Sequence, residues 1–349
     1  MTHQLTDLTP EEIAQALDLK PFQGRQIFQW MHRRQVLDFE RMTNLSKALR
    51  AQLVMTGLAA QATPVDVVVS PETGTKKTLY RLPDGEMVEA VLLRQGSRIT
   101  LCLSCQAGCP IGCAFCATGL GGFRRDLAPG EIVEQALYLL DGEDLDDRTP
   151  NIVYMGMGEP FLNYDAVVKS VRLLMHPEGL GIGARKITIS TAGVPGAIRR
   201  FAHEDWQVRL SISLHAANDT SRSKLVPLNR KYPLARLGDA IREYVQIAGR
   251  QVTFEWVLLR GVNDSPKDAE ELAAYLEEFK SSVNLIPYNR VAELPYEPPS
   301  AEACESFRDH LARLGVAATL RKERGQDIDA ACGQLRRRTL SSETTPPSA

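Results

Sequence analysis

The sequence predicts an α/β protein: six β/α units in a partial barrel, preceded by a helical accessory region. Three observations carry that prediction. From residue 99 onward, short runs rich in Val, Ile and Leu alternate with longer amphipathic stretches, and strands alternating with helices build parallel sheets. The first sixty residues instead show helix-start chemistry and helical spacing. Finally, the chemically distinctive residues follow the ends of the expected strands, where parallel α/β proteins place their sites.

The elements follow in order. Thr9-Pro10-Glu11-Glu12 reads as a capping box, with Thr9 as N-cap, Pro10 at the first helical position and Glu12 reaching back. Further helices are expected at 23–34 and 46–56, then strand-like sequence over 65–93, including 77–82 and 87–93. Strands are expected at 99–103, 152–155, 186–190, 208–214, 252–258 and 283–286, with a last one at 316–320. The helices between and after them fall at 130–140, 164–175, 195–202, 234–247, 266–279 and 301–314. In the fourth of these, Leu234, Leu237, Ile241 and Val245 share one face. Ser265-Pro266 and Ser300 are helix starts. The expected organisation is a helical domain (1–60), a β-rich connection (61–94), the β/α core with its C-terminal loop (95–335) and a disordered tail rich in Ser, Thr and Pro (336–349).

At 349 residues and 44% hydrophobic, the chain is large enough for one big domain with an appendage. Its first ten residues lack the basic-then-apolar build of a signal peptide. No apolar run approaches the roughly 20 residues of a membrane span, so a cytoplasmic protein without a membrane partner is expected. A net charge of −2 leaves a nucleic-acid partner open, because attraction to phosphate is local. Basic residues cluster at Arg33-Arg34, Arg124-Arg125, Arg199-Arg200, Arg321-Lys322-Glu323-Arg324 and Arg336-Arg337-Arg338. Any one of these alone reads as solvated surface.

The cysteines say more. Five of the seven fall between Cys102 and Cys116, and they include Cys109-x₃-Cys113-x₂-Cys116 with Phe115 before the last. An iron–sulfur cube needs four ligands. Three thiolates would leave one iron open, as a catalytic zinc keeps one position free. The competing reading pairs Cys102-x₂-Cys105 with Cys113-x₂-Cys116 as a zinc site, giving a zinc-stabilised RNA-binding module. Only seven residues separate those pairs, against roughly 15–20 in the usual pattern, and Cys109 would be stranded. A disulfide framework is disfavoured by the odd count of seven.

Cys-x₃-Cys-x₂-Cys followed by a Gly-Glu-Pro motif resembles the radical S-adenosylmethionine (SAM) enzymes. More specifically, Leu101-Cys102-Leu103-Ser104, Met155 to Pro160, Ser213-Leu214-His215, Asn229-Arg230-Lys231-Tyr232-Pro233 and Asp327 to Leu335 are similar to the RlmN family. Gln23 to Trp30 and Met42-Thr43-Asn44-Leu45-Ser46 match it too, so the resemblance spans roughly residues 5–336. It implies a partial (β/α)6 radical SAM barrel that methylates carbon-2 of an adenine in the peptidyl-transferase centre of 23S rRNA and of the adenine next to the anticodon in tRNA. The related Cfr-type carbon-8 methylation is the neighbouring alternative.

The resemblance also implies roles. Cys109, Cys113 and Cys116 would hold one 4Fe–4S cluster, whose free iron takes SAM. Gly158, Glu159, Ser190, Ser213, Leu214, His215 and Asn289 would contact SAM. Cys332 would be methylated by one SAM molecule and then lose a hydrogen to a radical made from a second, its methylene adding to the adenine. Cys102 would release the product through a transient disulfide, and Glu89 would accept the carbon-2 proton. A flavodoxin or ferredoxin would supply electrons. Read without the family, Glu89 is a solvated strand carboxylate, Cys102 a small buried hydrophobe and His215 a core histidine. Cys105 departs from the family's usual Ser or Thr, and Cys304 reads as packing.

Overall fold

The computed structural model describes residues 4–56, 62–145 and 148–321. The chain divides into two compact units: residues 1–107, 124–157 and 163–187, and residues 108–123, 158–162 and 188–349.

The first unit opens with α1 (Pro10–Ala16), whose capping box forms as expected: Thr9 Oγ1 accepts from Glu12 N–H and Glu12 accepts from Thr9 N–H. Next come α2 (Pro21–Phe28) and α3 (Lys47–Thr56). The helix expected over 23–34 ends as an α-helix at Phe28 and continues as a π turn over Gln29–Arg33. The Arg34 guanidinium then lies over the Trp30 ring, 4.2 Å from its centroid.

Strands β1 (Thr63–Val69), β2 (Lys76–Arg81), β3 (Met87–Gln95) and β4 (Arg98–Cys102) pair antiparallel in sequence. β5 (Asn151–Tyr154) adds to β4 in parallel, with Leu101 opposite Ile152. Helix α4 (Pro129–Leu140) crosses between these last two, and α5 (Tyr164–Met175) follows β5. α4 is buried on nearly every face, its polar residues included. Glu134 accepts from Thr6 Oγ1 (2.6 Å) and Ala62 N–H (2.8 Å), so its carboxylate is satisfied rather than stranded.

The second unit carries β6 (Ile187–Thr191, from its second residue), β7 (Arg209–Ser213), β8 (Val252–Leu258), β9 (Ser281–Pro287) and β10 (Ala318–Leu320). Each pairs in parallel with the next. The intervening helices are α6 (Pro195–Ala202), α7 (Asp219–Leu225), α8 (Leu234–Ala248), α9 (Pro266–Leu276) and α10 (Ala301–Arg313). α6 and α8 pack together, with Phe201 stacked on Tyr244. Alternate strand residues are apolar and buried, among them Ile187, Ile189, Leu210, Ile212, Val252, Phe254 and Trp256. Sequence patterning anticipates every one of these elements except α7.

Candidate active site

The cysteine loop lies in the second unit and is shaped by its backbone. Gly108 has φ of +80°, and a Cβ there would stand 1.8 Å from the Gly122 carbonyl oxygen, so only glycine fits. Cys109 N–H donates to that oxygen at 3.1 Å, and Cys116 N–H donates to Cys113 O at 3.1 Å. The loop is fastened to α7 by Ala114 N–H, which donates to Leu225 O at 2.9 Å. Cys109, Cys113 and Phe115 pack against Ile111, Leu225, Val226 and Tyr288.

The three thiols are half-buried. Burial, with Glu159 and Cys116 nearby, pushes the Cys109 thiol up to about 12. Burial and the two neighbouring cysteines raise Cys113 as well. Crowded thiols that resist ionisation need cationic metal to become thiolates, and this donor set fits an iron–sulfur cube. Tyr288 Oη and Thr118 Oγ1 are buried without a hydrogen-bond partner among the described residues. No three metal-ligating side chains there converge as a single ion would require; a cube takes one thiolate per iron and makes no such demand.

Around the loop stand the strand ends of the same unit. Gly158 has φ of +107°. Glu159 is buried, and its carboxylate accepts from Phe161 N–H (3.0 Å) and Ala192 N–H (2.7 Å). Burial raises its pKa against the effect of those bonds. The carboxylate thereby fastens the Gly-Glu-Pro turn to the end of β6. Ser190 and Ser213, on neighbouring strands, bring their hydroxyls within 3.2 Å. Leu214 is buried, and Asn289 is half-buried two residues after β9.

His215 is the most constrained residue of the group. Its φ of +60° is rare for a side chain of this size, and such strain concentrates at functional sites. Val257 N–H donates to Nδ1 at 3.0 Å. Nδ1 is therefore unprotonated and the ring hydrogen sits on Nε2. Burial, with the Arg222 charge beside it, pulls the ring down to about 3, so it stays neutral. Phe115 meets it edge-on at 4.8 Å. His215 is thus a neutral Nε2–H donor held beside the cysteine loop.

Glu89 and Cys102 belong to the first unit. Glu89 is not a solvated strand carboxylate: it is 2% exposed and paired with Lys77 Nζ at 2.9 Å, Lys77 being fully buried. Lys77 stands opposite Val91 across the β2–β3 ladder, and Glu89, two residues along, occupies the diagonal position on the same face. Breaking a buried pair from one side leaves an uncompensated charge, at a cost of about 3–5 kcal/mol. Lys77→Met should show that loss in urea unfolding, and Lys77→Met with Glu89→Gln should recover most of it. An unchanged midpoint in the single variant would contradict the burial.

Cys102 ends β4, 8% exposed and opposite Val91 and Val153. Sequence reasoning missed the groups that fix its surroundings. Ser104 Oγ donates to Glu89 O (2.6 Å) and accepts from Met157 N–H (2.8 Å). The Gln135 amide clasps the Ser104 backbone from both sides. Cys105 is buried, its carbonyl held by Leu127 N–H and the Asn163 amide. Arg125 of the predicted basic clusters is committed to Glu131 and Asp84, and Arg199 pairs with Glu243. Cys332 lies outside the described residues, as do Lys322 to Arg338 of the basic runs.

Comparison with known proteins gives the family. The radical SAM superfamily model matches residues 103–275. The ribosomal RNA large subunit methyltransferase N-terminal domain matches residues 3–56. A probable dual-specificity RNA methyltransferase RlmN of Heliobacterium modesticaldum is 47% identical, covering 95% of this chain and 89% of that one. A second, from Synechococcus elongatus, is 47% identical over 90% and 87%. The crystal structure of a radical SAM methyltransferase from Sphaerobacter thermophilus matches with a TM-score of 0.91 at 47% identity, covering 95% of this chain and 98% of that one. With the three-cysteine loop and both matched segments in one chain, this protein belongs to the RlmN family of the radical SAM superfamily.

Proposed function

We propose that this protein methylates carbon-2 of adenine in 23S rRNA, at the peptidyl-transferase centre, and in tRNA, next to the anticodon. The observation that carries the reading is the three-thiol loop seated beside strand ends bearing Ser190, Ser213 and neutral His215. Cys109, Cys113 and Cys116 would hold the 4Fe–4S cluster, and Gly158, Glu159, Ser190, Ser213, Leu214, His215 and Asn289 the cofactor. When bound, the reduced cluster and SAM supply a 5′-deoxyadenosyl radical. The protein's own residues do the rest. Cys332 carries the methyl carbon and presents it to the adenine, which is too electron-poor at carbon-2 to attack an electrophilic methyl group. The Glu89 carboxylate takes the carbon-2 proton. The Cys102 thiolate attacks the Cys332 sulfur, an S–S bond forming as the sulfur–carbon bond breaks, and the electron pair of that bond passes to the adenine-bound carbon, which takes a proton to become the methyl group.

Residues 1–60 would serve as the RNA-holding domain, 61–94 as the connection and 95–335 as the catalytic core. The electron donor would be a flavodoxin or ferredoxin. Among the described residues no helix is long and apolar enough to cross a membrane; the site of action would be the cytoplasm. The test is mass spectrometry of rRNA and tRNA from cells lacking and then regaining the protein. 2-Methyladenosine should vanish from both RNAs and return. Restoration of 8-methyladenosine alone would instead establish the carbon-8 activity.

A further inference from the structure

Helix α7 carries a charge that the scheme above leaves unused. Arg222 is fully buried. Its guanidinium donates to the main-chain carbonyls of Ala192 (2.6 Å), Ser213 (3.2 Å) and Leu214 (3.1 Å), and to Asn229 Oδ1 (2.9 Å). These partners satisfy its N–H groups without cancelling its charge. Among the described residues no carboxylate accepts from it. Asp219 is reached only through Asn229, whose amide donates to Asp219 Oδ1 at 2.9 Å. Burial pulls the guanidinium down to about 10, so it remains a cation at neutral pH. A desolvated cation without a paired anion is costly.

The same helix seats the cysteine loop. Ala114 N–H bonds to Leu225 O one residue beyond Cys113, and Cys109, Cys113 and Phe115 pack on the core cluster that holds Leu225 and Val226. Ala192, whose carbonyl Arg222 holds, and Leu225, three residues on from Arg222, belong to the same core cluster that Cys113 packs against, which sets the guanidinium charge near the Cys113 sulfur. Three thiolates around a cube core of charge +2 carry a net −1, and one-electron reduction makes it −2. A fixed cation nearby attracts the reduced form more strongly than the oxidised one.

We infer that Arg222 is the counter-charge of the cluster–thiolate assembly, a positioning residue that acts through Cys113 and raises the assembly's one-electron reduction potential. The inference rests on the cluster reading above. A low-potential one-electron carrier gives up one electron and the cluster gains it; no bond is made or broken.

The experiment is an anaerobic redox titration of the reconstituted full-length protein without SAM, followed by electron paramagnetic resonance, with iron and sulfide content measured alongside. Arg222→Gln, which keeps two N–H donors and loses the charge, should lower the reduced-to-oxidised ratio at fixed potential about tenfold, or about 59 mV for one electron. Arg222→Lys should stay within about twofold of wild type, since the charge remains. Asp219→Asn, which removes the charge that partly offsets Arg222, should shift the ratio the opposite way. If Arg222→Gln fails to hold a cluster, the sign of the Asp219→Asn shift decides. Equal shifts in Lys and Gln variants, or an Asp219→Asn titration that does not move, would reduce Arg222 to a tie between the ends of β6 and β7. Wild-type protein that binds no 4Fe–4S cluster would overturn the cluster reading and this inference together, whereas a cluster indifferent to these charges overturns only the inference.

Discussion

Cys109→Ala, Cys113→Ala and Cys116→Ala are each expected to yield protein without a 4Fe–4S cluster after anaerobic reconstitution, iron falling from about four per chain to background. Wild-type protein should instead show a cluster signal that changes when SAM is added, because the cofactor takes the iron that lacks a thiolate. Each cube corner depends on one thiolate, and the loop offers no spare: it is closed by Gly108 against Gly122 and fastened to α7 through Ala114. Cys105→Ala is the informative control. That residue is 2% exposed, with its N–H bonded to Met157 O and its carbonyl to Leu127 and Asn163, so it should behave as a packed side chain. Loss of the cluster from Cys105→Ala alone would make the ligand assignment wrong.

What the sequence discloses and what it conceals divides along a physical line. The cysteine loop is legible because its information is local: three thiols at fixed spacing define the site before any tertiary contact does. The parallel strands are legible for a similar reason, since apolar residues recur at every second position, as in Ile187-Thr188-Ile189, Leu210-Ser211-Ile212 and Val252-Thr253-Phe254, and that period of two is local too. Helix α7 fails that test. Asp-Thr-Ser-Arg-Ser-Lys-Leu buries only Arg222 and Leu225, so there is no apolar stripe for periodicity to find. Arg222 itself reads as surface in a polar run, and its burial comes from carbonyls contributed by two other strand ends. The helix-start signal was present, because Asn218 caps Ser221 N–H; searching for caps ahead of polar runs would have found it.

Glu89 illustrates the other kind of miss. A lone carboxylate on a strand is solvated by default, and what overturns the default is the cross-strand register that sets Lys77 diagonally across from it. Register is fixed by pairing and turn geometry, which one strand read alone does not contain. Ser104 and Gln135 were hidden similarly, because an amide clasping a backbone segment 31 residues away leaves no mark in spacing.

Cys332→Ala and Cys102→Ala should fail at opposite ends of the reaction. Without the Cys332 sulfur no S-methyl group forms, no methylene can add to the adenine, and no covalent adduct follows; methylated product should fall to background. Cys102→Ala leaves those steps available and removes the last one. In that step an S–S bond to Cys332 forms as the S–C bond to the product carbon breaks, which requires a thiolate within reach of the Cys332 sulfur. The variant should therefore accumulate a protein–RNA crosslink, visible as a shifted band that ribonuclease digestion collapses, while the double variant shows none. The position of Cys102 suits a late role: it closes β4, is 8% exposed, and adjoins the Ser104 contacts that fix the chain beyond the strand. Because the attacking species is a thiolate, release should accelerate as pH rises, in contrast to the radical steps that precede it. RNA-free Cys102→Ala protein with normal product yield would refute the assignment and point to Cys105 as the substitute nucleophile.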